Sequence, residues 1–196
     1  MKRLYFREIF VLFYILLFLA SCYAKKDIII QSDTQLSADT KASKIPLKAG
    51  LYISDAIKSQ EIILIVPSLG IHLGNAFVAN SEMILKNIFQ EVTIINAFET
   101  FSEGTSKKYD VIISPQIILI QPALNNGYLQ ITTKWIVSGI DGKEIYTTII
   151  KGSEFEYGPS WHPEKNREDT FFLALHENFK KAQDDIYLSN WWKHIK

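Results

Sequence analysis

The side chains most capable of chemistry are few and widely spaced in this chain. Among 196 residues there is one cysteine, Cys22, and the four histidines lie far apart, at His72, His162, His176 and His194. A single cysteine permits neither an intramolecular disulfide nor a cysteine-rich metal site. The sequence contains no nucleophile elbow, zinc-binding helix or phosphate-binding loop. The residue types therefore predict a non-catalytic protein without a metal or cofactor.

Carboxylates leave one enzymatic alternative open. Glu154 and Glu156 alternate along a predicted strand and so share one face of it. Asp110 would have to join them in a cleft for the group to act as general acid and base. Solvated surface charges are the commoner explanation of such residues, so this alternative depends on their convergence in the fold.

Cys22 follows a segment with the composition of an export signal. Lys2, Arg3 and Arg7 give it a positive start, and residues 9–20 form an unbroken apolar run of 12. A membrane-spanning helix needs roughly 20 apolar residues, so this run is short for an anchor and suits the apolar part of a signal peptide. An ordinary signal peptide with a chance cysteine, or an uncleaved anchor, is the alternative.

The end of this segment, Leu19-Ala20-Ser21-Cys22, resembles the lipobox of bacterial lipoproteins. In that family a peptidase cuts before the cysteine, here between Ser21 and Cys22, after diacylglycerol has been attached to the thiol. The resemblance implies a membrane anchor through lipid on Cys22 and a location in the cell envelope. Tyr23, in place of aspartate, further implies the outer membrane, facing the periplasm, if the host has two membranes.

The charge balance predicts no nucleic-acid partner. The chain has 21 basic and 21 acidic residues. The leader carries a net charge of +2, from Lys2, Arg3 and Arg7 against Glu8, so the remainder carries about −2. Surfaces that bind nucleic acid are strongly basic, and this composition offers none.

Composition divides the chain into three parts. Residues 1–21 form the lipoprotein signal peptide. Residues 22–44 are polar and small apart from residues 28–30, which predicts a flexible tether, with an edge strand at 28–30 as the alternative. Residues 45–196 have the length and apolar content of a single domain.

The domain has the pattern of an α+β fold. Alternation and turn residues over about 110–155 predict a three-stranded antiparallel meander, with turns at 125–127 and at Asp141-Gly142. Apolar spacings of three, four and seven predict helices over about 73–90 and 169–188. The simplest arrangement packs both helices on one face of a mixed or antiparallel sheet.

Three local features give narrower predictions. The apolar run at 61–66 predicts a central strand, and residues 70–74 a tight loop between that strand and the first helix. Pro115 has no amide hydrogen, which predicts a bulge or an edge position inside its strand. The last helix is expected to bury a stripe formed by Phe172, Leu175, Phe179, Ala182 and Ile186.

Aromatic residues near the C-terminus are candidate binding residues. Trp161 and His162 lie in a polar loop, and Trp191 and Trp192 follow the last helix. Exposed aromatic rings stack on sugars or lie at a membrane interface. The alternative is that these rings close the ends of the helix layer.

The order of lipobox, polar tether and small α/β domain resembles several envelope lipoproteins in outline. They are the LPS-assembly lipoprotein LptE, the YajG-type lipoproteins and the curli-secretion lipoproteins. The resemblance covers about residues 45–190 and carries over no functional residue. It implies a non-catalytic binding or assembly accessory of an envelope complex. We expect such a protein to dock onto another envelope protein through an exposed face or edge of its sheet, with Trp135, Trp191 or Trp192 as candidate anchors. A module that binds envelope glycan or lipid through Trp161, Trp191 and Trp192 is the alternative.

Overall fold

The chain folds into two β-sheets and a layer of helices. A computed structural model describes residues 26–33, 35–36, 40–41, 43–64, 69–96, 108–123, 128–156 and 163–195. The strands are β1 (Lys26–Ile29), β2 (Ile45–Tyr52), β3 (Glu61–Leu64), β4 (Leu69–His72), β5 (Phe89–Ile95), β6 (Val111–Ala123), β7 (Tyr128–Gly139), β8 (Glu144–Lys151) and β9 (Phe155–Glu156). The helices are α1 (Asp55–Lys58), α2 (Gly74–Ile88) and α3 (Pro163–Leu188), and a 3₁₀ turn follows at Trp191–His194. The predicted α+β class is confirmed.

The larger sheet has the strand order β5-β2-β6-β7-β8, and β9 pairs with β7 beyond the end of β8. β2 runs parallel to both β5 and β6, whereas β6, β7 and β8 are antiparallel neighbours. The smaller sheet has the order β1-β4-β3, in which β4 runs parallel to β1 and antiparallel to β3. The predicted meander and the mixed character of the sheet are therefore confirmed.

The turn between β7 and β8 forms where it was predicted. Gly142 adopts a φ of 80°, a backbone conformation that glycine tolerates better than other residues. Asp141 accepts a hydrogen bond from the backbone N–H of Lys143 at 3.1 Å, and this bond holds the pKa of the Asp141 carboxyl below its ordinary value. The other predicted turn, at 125–127, lies outside the described residues.

Both long helices pack on one face of the larger sheet and against each other. The ring centroids of Phe77 in α2 and Phe179 in α3 are 5.2 Å apart, and Phe179 meets Trp135 of β7 edge-on at 5.8 Å. All three side chains are fully buried. Truncating a buried aromatic residue typically costs about 3–5 kcal/mol, so this cluster is a main source of stability. Trp135 is consequently a core residue, and its prediction as a docking anchor is wrong.

The buried stripe of α2 agrees with the prediction, and that of α3 differs at its N-terminal end. Leu73, Phe77, Ile84 and Ile88 are fully buried, as predicted for α2. In α3 the first buried aromatic residue is Phe171, while Phe172 is only half-buried. Phe171 precedes Leu175 by four residues, which puts both on one helical face. α3 also begins at Pro163 rather than near residue 169, because proline is favoured at the first position of a helix.

Pro115 lies at a position where its missing N–H does little harm. It pairs with Trp135 of β7, whereas β2 pairs with β6 only as far as Ile113, so Pro115 has no strand partner on its other side among the described residues. The register between β6 and β7 shifts between Ile117 and Leu119, which marks a bulge. The prediction of a bulge or an edge position is confirmed.

The smaller sheet corrects two predictions. β3, expected to be central, lies at an edge of this sheet, and residues 70–74, expected to be a loop, belong largely to its central strand β4. The cause is long-range pairing: β4 pairs with β1 as well as with β3, and β1 is a distant segment of the chain. Local turn residues such as Gly70 could not report that partner.

The described part of the predicted flexible tether over 22–44 is attached to the domain. β1 pairs with β4 from Lys26↔Leu69 to Ile29↔His72, and Ile28 and Ile30 are 7% and 2% exposed. The structure thus has the edge strand that was the alternative at 28–30. We call the described residues between 26 and 44 the N-terminal strap.

Candidate functional site

β8 forms one edge of the larger sheet. Its inner side pairs with β7, and no strand in the described ranges pairs with its outer side. An unpaired edge presents backbone N–H and C=O groups to a further strand. Proteins usually protect such edges with charges or prolines, but residues 145–150 in the middle of β8 include neither. Among the described residues, the β8 edge is therefore open to pairing with an additional strand.

Apolar side chains lie on both sides of this edge. Ile150 lies opposite Thr133 of β7 and is 7% exposed. Its backbone carbonyl accepts a hydrogen bond from Asn178 Nδ2 of α3 at 3.1 Å. Ile149 points to the opposite face, because side chains alternate along a strand, and is 59% exposed. On the α3 side, Leu188 is 68% exposed. Two exposed apolar side chains thus flank the edge on opposite sides of the sheet.

An open groove of about 630 Å³ lies between the last three residues of β8 and the C-terminal half of α3. Small-molecule sites usually enclose most of their ligand, which an open groove does not do. A groove beside a free strand edge instead suits an extended peptide. The groove is lined by Ile149, Ile150, Lys151, Lys181, Asp184, Asp185, Leu188 and Ser189.

Charged groups on the α3 side of the groove are engaged within the domain. The Tyr146 hydroxyl donates to Asp185 Oδ2, and burial together with this carboxylate raises the pKa of Tyr146 above its ordinary value. Partial burial alone would raise the pKa of Glu177, but hydrogen bonds from Lys181 and Ser153 hold it below its ordinary value. These charged groups of α3 therefore already have partners within the domain.

The tryptophans predicted as binding residues are placed at the end of the helix layer. Trp191 is 7% exposed, stacks on Tyr146 with centroids 6.2 Å apart, and donates from Nε1 to the Ile186 carbonyl at 3.1 Å. Trp192 is half-buried. This placement agrees with the packing alternative, and it withdraws the Trp191 ring from any glycan or lipid.

Four predicted site residues lie outside the described residues: Ser21, Cys22, Trp161 and His162. Lipid attachment and signal cleavage therefore stay predictions. Within the described ranges, no helix combines the length and the hydropathy needed to cross a bilayer.

Two of the histidines contact carboxylates. His176 Nδ1 of α3 contacts the buried carboxylate of Asp33 in the strap. On the smaller sheet, Asp27, Glu61 and His72 each place one potential ligand atom within 4.8 Å of the others. Imidazole and carboxylate groups bind divalent metals, and these three come from three different strands, so no sequence spacing pointed to them. All three are at least partly exposed, where such groups also occur without an ion.

The carboxylates of the enzymatic alternative do not meet. Asp110 adjoins the Gly139 end of β7, and Glu154 adjoins the Leu129 end. The ten residue steps between Leu129 and Gly139 correspond to about 33 Å at the usual rise of a strand. Asp110 and Glu154 therefore cannot act on one substrate bond.

Comparison with known proteins shows a shared fold. No family model and no curated protein matches the sequence. Among solved structures, the chain is similar to protein XCC0632 from Xanthomonas campestris, of family DUF330, with 8% identity, a TM-score of 0.58 and coverage of 84% of this chain and 96% of that one. Two similarities are lower: protein CT253 from Chlamydia trachomatis (12% identity, TM-score 0.43, coverage 74% and 98%) and a neuraminyllactose-binding hemagglutinin homolog from Helicobacter pylori (9%, 0.42, 78% and 96%).

Proposed function

We propose that this chain is a lipid-anchored, non-catalytic protein of the bacterial envelope that binds another envelope protein through the β8 edge. The partner would contribute an extended segment that pairs with β8 as an added strand. The observation that carries this proposal is the unpaired edge of β8 with exposed Ile149 and Leu188 on either side. The anchor is supported by the lipobox-like residues that end at Cys22.

An added strand would use both the unpaired backbone groups of β8 and the exposed apolar side chains beside it. Its backbone groups would pair with those of β8, and its alternate side chains would point to the two sides of the sheet. One set would cover Leu188 in the groove, and the other would cover Ile149 on the opposite face.

The exposed apolar area is enough to matter for affinity. Fully burying an isoleucine or leucine side chain contributes about 1.5–3 kcal/mol. With Ile149 at 59% and Leu188 at 68% exposed, most of that contribution is still available to a partner at each residue. Each factor of ten in affinity corresponds to about 1.4 kcal/mol.

Ile149→Glu and Leu188→Glu are each expected to lower capture of the partner by about tenfold, because each puts a charge where the partner would bury apolar surface. The measurement is crosslinking of the tagged protein in its native host, affinity purification and quantitative mass spectrometry. We expect one envelope protein to dominate the wild-type sample.

Ile94→Glu is the matched control. Ile94 is 43% exposed on β5, the strand at the opposite edge of the same sheet. Capture should be unchanged in this variant. Equal loss in all three variants, or no loss in the first two, would exclude the β8 edge as the docking surface.

A further inference from the structure

β1 begins only four residues after Cys22, the proposed site of lipid attachment. Whatever its conformation, the chain between Cys22 and Lys26 spans at most about 14 Å, at about 3.5 Å per residue. A flexible tether as far as residue 44 would instead extend to about 80 Å. The place where β1 begins therefore sets how far the domain can lie from the membrane.

Beyond β1, the N-terminal strap is attached to α2 through buried polar groups. The backbone N–H of Asp33 donates to Asn80 Oδ1 at 2.8 Å, and both residues are 1% exposed. Asn87 Nδ2 donates to the Leu36 carbonyl at 2.6 Å. Releasing the strap would leave these buried groups without partners, which is unfavourable.

The same strap is attached to α3. Lys41 Nζ lies 2.8 Å from Asp184 Oδ1, and the Tyr187 hydroxyl donates to the carbonyl of Ser43 at 2.9 Å. These contacts lie further along the chain than those with α2, so the strap is attached at several points along its length. The effective tether is therefore the short segment before Lys26.

We infer that the lipid anchor holds the smaller sheet against the bilayer, with the N-terminal end of β1 toward the lipid. This inference rests on the proposed lipid attachment at Cys22. The register places the start of β4 and the end of β3 beside Lys26, through Lys26↔Leu69 and Leu64↔Leu69. The N-terminal ends of β1 and β4 and the C-terminal end of β3 would thus face the membrane together.

The short reach limits where the binding partner can be. A domain of this length is about 40 Å across. Its β8 edge therefore lies within about 55 Å of the bilayer surface. The partner segment must belong to a protein held at the same membrane or reaching to it, rather than to one confined to the far side of the envelope.

Insertion of a flexible linker between Tyr23 and Ala24 tests the inference. The acylated protein carrying Asp27→Cys has one free thiol, because Cys22 is the only native cysteine and bears lipid. A short-range fluorescence donor on that thiol reports energy transfer to head-group acceptors in phosphatidylcholine–phosphatidylglycerol vesicles. An insert of about 20 Gly and Ser residues adds roughly 25 Å of mean span, so we expect transfer to fall by about twofold or more.

The same insert placed after Gly142, in the β7–β8 turn, is the control and should leave transfer high. Circular dichroism checks that each variant is folded. Failure of the acylated protein to stay on vesicles would contradict the anchor itself. Stable vesicle binding with equal transfer, with and without the insert at residue 23, would overturn the inference while leaving the anchor intact.

Discussion

Cys22→Ala is expected to move the protein from the membrane fraction to the aqueous fraction. Each CH₂ of an acyl chain contributes about 0.8 kcal/mol when it enters the bilayer, and diacylglycerol on Cys22 would carry two such chains. Without the thiol no lipid can be attached. We expect detergent partitioning to fall by at least about tenfold, measured by phase separation and immunoblotting together with metabolic labelling by a fatty acid.

Ser21→Ala is the matched control for this change. It keeps a small residue before the cysteine, as the lipobox requires, so labelling and partitioning should match those of the wild type. If Cys22→Ala still partitioned like the wild type, the leader would act as an uncleaved anchor. The short-tether inference would then lose its basis as well.

Gly74→Ala is expected to destabilise the domain by at least about 3 kcal/mol, although alanine normally favours a helix over glycine by about 1 kcal/mol. A Cβ on Gly74, the first residue of α2, would lie 1.8 Å from the carbonyl oxygen of Lys58 and 2.9 Å from that of Ile57. These are backbone atoms at the end of α1, so no side-chain rotation relieves the clash. Urea unfolding of the unlipidated chain that starts at Tyr23, followed by circular dichroism, measures the change.

Asn75→Ala, one residue further into the same helix, is the control. Asn75 is exposed, so its replacement should change stability by no more than about 0.5 kcal/mol. A Gly74→Ala protein as stable as this control would show that α1 does not approach α2 as closely as described.

The central part of the fold could be predicted because its signals are local. The β7–β8 turn is determined by Asp141 and Gly142, and alternation over residues 131–137 marks the buried face of β7. The α2 stripe from Leu73 to Ile88 follows from helical periodicity alone. These features depend on neighbours a few residues apart, which a sequence displays directly.

The N-terminal strap and the smaller sheet could not be predicted in the same way. The strap is polar in composition, and only a few of its residues, such as Ile28, Ile30 and Leu36, are buried apolar ones. Its attachment depends on β4 and on polar partners such as Asn80 and Asn87, which lie far away in sequence. Gly70, which lies within β4, favoured a turn locally, and the pairing of β4 with two other strands overrode that preference.

The sequence predicted docking at a face or an edge of the sheet but could not identify β8, because exposure at an edge depends on topology. Ile149 belongs to a short apolar strand, and nothing in the strand itself distinguishes an edge from a central position. Leu188 is the last residue of α3 and is exposed beside the end of β8, a position that the sequence does not display. The tryptophans attracted attention by residue type, yet Trp135 and Trp191 are buried in the core.

A photoactivatable crosslinker at position 149 would show whether the β8 edge is the surface that contacts the partner. It would be incorporated in the native host, with the same crosslinker at position 94, on the opposite edge of the larger sheet, as the reference. We expect one abundant crosslinked envelope protein from position 149, joined through an extended segment, and none of it from position 94. The same products from both positions, or only scattered abundant proteins from 149, would contradict docking at β8.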